Sequence, residues 1–264
     1  MHLLTTLADL AFPRSCAGCG AWDTALCDEC SALMAPPGQA LPDVVGRAPY
    51  LNAVRIHRDG LHMPGDPIPF FRVWSLGDYE GRRRAVILAW KNTVDAELTA
   101  KLRAVMARAG ALLAGEAAVA GSGRLTLVPA PSRWRRRHDG RFVAGHLAEA
   151  LAGGLADAGV NCQVADALRL PGNRSRASLA GRAAKAGRVR LATRRRFAPS
   201  LADAPGRDSP GLHGWATARC LLVDDVLTTG ATLAGCARVL GAAGASVVGA
   251  VVLAAAADPR EASG

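Results

Sequence analysis

Residues 221–233, LLVDDVLTTGATL, set two adjacent carboxylates, Asp224 and Asp225, at the end of an apolar run. Thr228, Thr229, Gly230 and Thr232 follow three residues later. A hydroxyl-rich turn that feeds a helix attracts anions, because the first N–H groups of a helix are unpaired and its dipole is positive there. Carboxylates repel anions, so a ligand that satisfies both features must place neutral hydroxyls between them. A polyol phosphate does this: the turn holds the phosphate and the acids accept hydrogen bonds from the hydroxyls. Val226, Leu227 and Ala231 complete the lining, and Gly230 allows close backbone approach. The plainer alternative is two acids near a helix start that a threonine caps, with no ligand. The chain has neither Gly-x4-Gly-Lys-Thr nor Gly-x-Gly-x2-Gly after a strand, which argues against a nucleoside triphosphate or a dinucleotide.

A second constellation is Cys16-x2-Cys19-x7-Cys27-x2-Cys30, with Gly18 and Gly20 in and after the first pair. Each Cys-x2-Cys wraps two thiolates round one ion, and two such pairs complete a tetrahedral four-sulfur site suited to Zn²⁺. Four protein ligands leave no open position, so the metal is expected to be structural. A segment this short buries too little core to fold alone, and metal binding supplies the missing free energy. The other cysteines, Cys162, Cys220 and Cys236, are scattered.

The elements that must position these residues read as an α/β protein. Strands are expected at 71–79, 125–131, 164–168, 221–225 and 246–254. Helices are expected at 82–91, 96–109, 141–158 and 231–243. Continuous apolar strands alternating with helices indicate a mainly parallel sheet covered on both faces. Asp224 and Asp225 then stand at the carboxyl end of a strand, where open α/β sheets bind ligands. Three parts are expected: a four-Cys module at 1–35, an extended Pro/Gly-rich connection at 36–70, and the α/β domain at 71–264.

The net charge of +10 is concentrated. Residues 124–207 hold 17 Lys and Arg against 5 Asp and Glu, which points to an anionic partner for that segment. Trp134 within the arginine run 133–137 would allow a base to stack, and so single-stranded DNA contact. Lys91 either reaches a phosphate or favourably ends its helix. His138, His146 and His213 have no metal-ligand spacing and read as structural. The N-terminal stretch has no basic leader, and the late apolar run 247–257 is shorter than the ~20 residues a membrane helix needs. A soluble cytoplasmic protein without membrane insertion is expected.

LLVDDVLTTGATL closely resembles the ribose-5-phosphate motif of the type I phosphoribosyltransferases. With the four-Cys N-terminus, LGDYEGRRRAVILAWKN at 76–92 and LVPAPSRWRRR at 127–137, the whole chain resembles the ComF family of competence-protein-like phosphoribosyltransferases. The resemblance implies a type I phosphoribosyltransferase fold and Mg²⁺-dependent binding of phosphoribosyl pyrophosphate (PRPP). Asp224 and Asp225 would take the ribose hydroxyls, as the catalytic pair, and residues 228–232 the 5-phosphate. Pro129, Ala130, Pro131 and Ser132, with Arg133, would form the pyrophosphate loop, and the basic segment 171–190 a lid. It implies either transfer of the phosphoribosyl group to an acceptor or a non-catalytic role in DNA uptake. Single-stranded DNA and a DNA-uptake helicase or recombination proteins would then be partners. Where many relatives carry Arg-Gly-Phe-Asn-Gln after the pyrophosphate loop, this chain has RHDGRFVAGH, which leaves the acceptor open.

Overall fold

The computed structural model describes residues 14–53, 68–132, 139–170, 190–191 and 215–257. The strands are β1 (Asn52–Ala53), β2 (Ile68–Pro69), β3 (Arg72–Ser75), β4 (Leu125–Pro129), β5 (Cys162–Val164), β6 (Leu168–Arg169), β7 (Arg190–Leu191), β8 (Arg219–Leu227) and β9 (Ser246–Ala255). The helices are α1 (Asp28–Met34), α2 (Gly81–Asn92), α3 (Ala96–Leu113), α4 (Ala117–Ala120), α5 (Val143–Asp157) and α6 (Ala231–Ala242).

Five strands form one sheet in the order β3-β9-β8-β4-β5, and every neighbouring pair is parallel. β1 with β2, and β6 with β7, form small antiparallel ribbons. The parallel sheet confirms the expected α/β architecture. Its strands are apolar on both sides because both sides are covered. Leu127, Leu221, Val223, Val251 and Trp74 pack on one face with α1, α2, α3 and α5. Val128, Leu222, Ala250, Val252 and Val73 pack on the other with α6 and residues 44–51. Gly249 interrupts the apolar run of β9 because the Trp74 ring lies over it, and a Cβ there would stand 2.2 Å from that ring.

The helices follow from local chemistry. α3 starts at Asp95, whose carboxylate accepts the Leu98 N–H at 2.9 Å; such a cap contributes about 1 kcal/mol. α3 and α5 cross at very close range through Gly110 and Gly154. A Cβ on Gly154 would lie 1.8 Å from the Ala107 carbonyl oxygen.

Several elements differ from their sequence expectations. The strand expected at 71–79 is only Arg72–Ser75, that at 125–131 ends at Pro129, and the helix expected at 96–109 runs to Leu113. The expected strand at 164–168 is divided: residues 162–164 join the sheet beside β4, and Leu168 starts a separate ribbon. The acidic strand runs on to Leu227, because Asp224 and Val226 still pair with Val252 and Ala254 of β9. Among the described residues, no helix is long and apolar enough to cross a membrane.

Candidate functional site

Since all five strands run the same way, their carboxyl ends share one edge: Ser75, Pro129, Val164, Leu227 and Ala255. Asp224 and Asp225 lie three and two residues before the end of β8, both partly exposed. Successive strand residues face opposite sides of a sheet. Leu221 and Val223 face the α2 side, so Asp225 faces it too, while Asp224 lies towards α6. The contacts agree. The Asp225 carboxylate meets the Lys91 ammonium of α2 at 2.8 Å. On the other face, burial first and the nearby Asp224 carboxylate second push the Cys236 thiol of α6 up. Asp224 Oδ1 also accepts the Asp225 N–H at 2.8 Å.

The turn after β8 opens α6. Thr228 is exposed, Thr229 and Gly230 are buried, and Thr232 is half-buried. Gly230 is the N-cap of α6, in the left-handed conformation at φ 76°, and no side chain caps the helix. The N-cap is thus a glycine rather than a threonine, with no side chain of its own to cap the first N–H groups of α6. Residues 44–51 pack behind the turn. The Tyr50 N–H donates to the Thr229 carbonyl at 3.1 Å, and Ala48 and Leu51 lie against Gly230.

Lys91 joins the acidic pair, a partner the sequence left undecided. It occupies the last turn of α2, and its partner is a carboxylate of the acidic pair rather than the helix dipole alone. Arg47 and Asp78 form another ion pair at this edge, at 2.5 Å. Asp78 follows β3 and bridges to Ala255.

Pro129, Ala130, Pro131 and Ser132 leave the sheet beside the acids. Pro129 pairs with Val223, and the Ala130 N–H donates to the Val223 carbonyl at 2.7 Å. Pro131 stands two residues beyond Pro129, as Asp225 stands two beyond Val223. The 129–132 loop thus leaves β4 beside the strand that carries Asp225, and Lys91 meets Asp225 on that strand. Arg133, the rest of the arginine run with Trp134, His138, His213 and all but Arg190 of the expected lid at 171–190 lie outside the described residues. His146 is a packing residue: its Nε2 lies 3.2 Å from the Gly140 carbonyl, and its ring lies near Trp90.

The four cysteines form the second site. All four sulfurs lie within 4.8 Å of one another. Cys27 Sγ is 3.6 Å from both Cys16 Sγ and Cys19 Sγ. A zinc ion with sulfurs at about 2.3 Å spaces them about 3.8 Å apart along a tetrahedral edge, so the cluster fits one such ion. Gly18 is required by this closeness, since a Cβ there would stand 2.6 Å from Cys30 Sγ. Burial opposes ionisation of Cys16, but the N–H groups of Cys27, Cys19 and Gly18 outweigh it and bring the thiol down to about 6. Burial, then the neighbouring sulfurs, push Cys30 up. The module is docked on the main domain. Cys16, Leu26, Cys30 and Met34 share a core with Val86, Ile87 and Leu102, and Glu29 pairs with Arg82 of α2 at 2.8 Å.

Residues 173–263 match the family model described as the phosphoribosyl transferase domain. That span contains β8, the acidic pair, the turn, α6 and β9. No curated protein matches the chain. The match and the parallel sheet together support a phosphoribosyltransferase-like function.

Proposed function

We propose that the protein binds PRPP at the carboxyl edge of its sheet and is a phosphoribosyltransferase-like protein of the ComF kind. The observation that carries this reading is the start of α6: a left-handed glycine N-cap with no side-chain cap, directly after two carboxylates on a parallel strand. The 5-phosphate sits on the N–H groups of residues 230–232 with the threonine hydroxyls. The ribose hydroxyls donate to Asp224 and Asp225, one acid from each side of the strand end. The 129–132 loop receives the diphosphate.

In transfer, an acceptor's lone pair attacks ribose C1, the C1–O bond to the diphosphate breaks, and the diphosphate leaves with that electron pair. The chain's own residues position the ribose and exclude water, and they need to move few protons. Mg²⁺ suits the oxygen donors of Asp224 and Asp225 together with ligand oxygens, and would supply neutralisation of diphosphate charge. The two carboxylates face opposite sides and Asp225 meets Lys91, so the ion would come with the ligand. In the four-Cys cluster we propose zinc in a structural role.

Thermal unfolding with and without PRPP and Mg²⁺ tests the reading. PRPP at a hundred times its Kd should stabilise the protein by about 2.7 kcal/mol, and Asp225→Ala should abolish the effect. No stabilisation by PRPP, with salt-dependent binding of single-stranded DNA instead, would replace it with the DNA-uptake adaptor.

A further inference from the structure

We propose that Lys91 is the residue that makes this site select a diphosphorylated ribose over ribose 5-phosphate. The inference rests on the phosphoribosyl reading above and adds a residue to it. Two carboxylates repel a diphosphate; Mg²⁺ arriving with the ligand would offset part of that repulsion, and a cation fixed in the protein beside the acids offsets more. Lys91 is such a cation, 2.8 Å from Asp225 Oδ1, and both side chains are less than one-fifth exposed. In partial burial a charge pair is screened less than at the surface. The buried residues Val86, Ile87 and Trp90 hold α2 against the sheet, and Trp90 Nε1 donates to Thr99 Oγ1 at 2.8 Å. The base of the Lys91 side chain is thereby fixed, while its four-carbon stem can carry the ammonium a short way.

The direction of that movement follows from the ladder. β4 ends at Pro129 beside Val223, so the 129–132 loop leaves the sheet next to the stretch of β8 that carries Asp225, and an ammonium on Asp225 borders the place where a diphosphate would lie. In the empty site Lys91 neutralises Asp225. When ribose hydroxyls take that carboxylate, the ammonium turns to the diphosphate oxygens. Ribose 5-phosphate has no group there, and its phosphate lies on the far side of the ribose, in the turn that opens α6.

Calorimetric titration of the full-length protein in Mg²⁺ with PRPP, and separately with ribose 5-phosphate, tests this. Lys91→Gln removes the charge but retains an amide that can donate to Asp225. It should lower PRPP affinity at least tenfold, and ribose 5-phosphate affinity by less than threefold. Lys91→Arg should fall between wild type and Lys91→Gln in its preference for PRPP. An equal loss for both ligands would reduce Lys91 to a structural residue and overturn the proposal, as would no loss for either. Should Lys91→Gln not fold, the ratio is read on Lys91→Arg, and a ratio equal to that of wild type overturns it. If the wild-type protein binds neither ligand, the phosphoribosyl reading fails first and this inference with it. Wild-type binding of PRPP without the Lys91 effect leaves that reading standing and sinks only the inference.

Discussion

The Tyr50 N–H donates to the Thr229 carbonyl at 3.1 Å, joining a segment without any sequence period to the turn that opens α6. Through this bond and the contacts of Ala48 and Leu51 with Gly230, residues 44–51 form the wall behind the turn. The turn keeps its left-handed glycine against a packed surface, so its shape is set before any ligand arrives.

Gly230→Ala should expose both constraints on this turn. A Cβ at φ 76° is strained, and here it would stand 2.9 Å from Ala48 Cβ. The combined cost should be about 1–3 kcal/mol, read as a lower denaturation midpoint, with weaker ribose 5-phosphate binding. Ala48→Gly added to it removes the nearest contact but leaves the backbone strain, so stability should recover in part. Full recovery would show that the strain contributes nothing.

The Lys91–Asp225 pair should also appear in stability. Its two members lie between the exposed and fully buried cases, so the coupling expected from a double-mutant cycle is about 1–2 kcal/mol. Lys91→Met and Asp225→Asn should each destabilise the chain, and the double variant should lose less than the sum. Strict additivity in urea unfolding would mean that the pair contributes nothing.

Much of this was legible because it is local. The apolar run at 246–254, the acidic pair and its turn, and the two Cys-x2-Cys pairs each carry their meaning within a dozen residues. The Lys91 contact was not legible in the same way. It joins residues far apart in the chain, and a lysine closing a helix has a sufficient local reason to be there. Residues 41–51 read as connection because their buried side chains, Leu41, Val44, Ala48 and Leu51, follow no period. They fill a surface set by other elements rather than by their own. The end of β8 was missed because charged side chains mark where a strand reaches solvent, whereas pairing with β9 continues in the backbone.

The α3–α5 crossing makes a sharper demand on stability than the site does. Gly154→Ala would place a methyl 1.8 Å from the Ala107 carbonyl oxygen, and Gly110→Ala one 2.4 Å from the Leu151 carbonyl oxygen. Neither neighbour is a flexible side chain, so the helices must separate. Each change should cost about 3 kcal/mol. Gly153→Ala is the control, because nothing lies within 4 Å of its Cβ; on the same helix it should be neutral or slightly stabilising. Equal melting temperatures for Gly153→Ala and Gly154→Ala would refute the close crossing.

Metal removal should separate the four clustered cysteines from the deeply buried Cys220 and Cys236. With the proposed zinc bound by the four clustered thiols, a chelator should release one zinc and make them reactive. Cys220 and Cys236 are buried in the far core, and burial alone pushes Cys220 up to about 12, so neither forms a reactive thiolate near neutral pH. Thiol titration of the native protein with chelator should therefore gain four equivalents, and the buried pair should respond only in denaturant. The loss should also reach α2. Leu26, Cys30 and Met34 pack on the core that includes Val86 and Ile87, and Arg82 loses its Glu29 partner if α1 unfolds. Amide exchange along α2 should then accelerate on chelation, with β8 and β9 less affected. A chelated protein whose α2 stays as protected as in the metal-loaded form would show that the module is an appendage rather than part of this core.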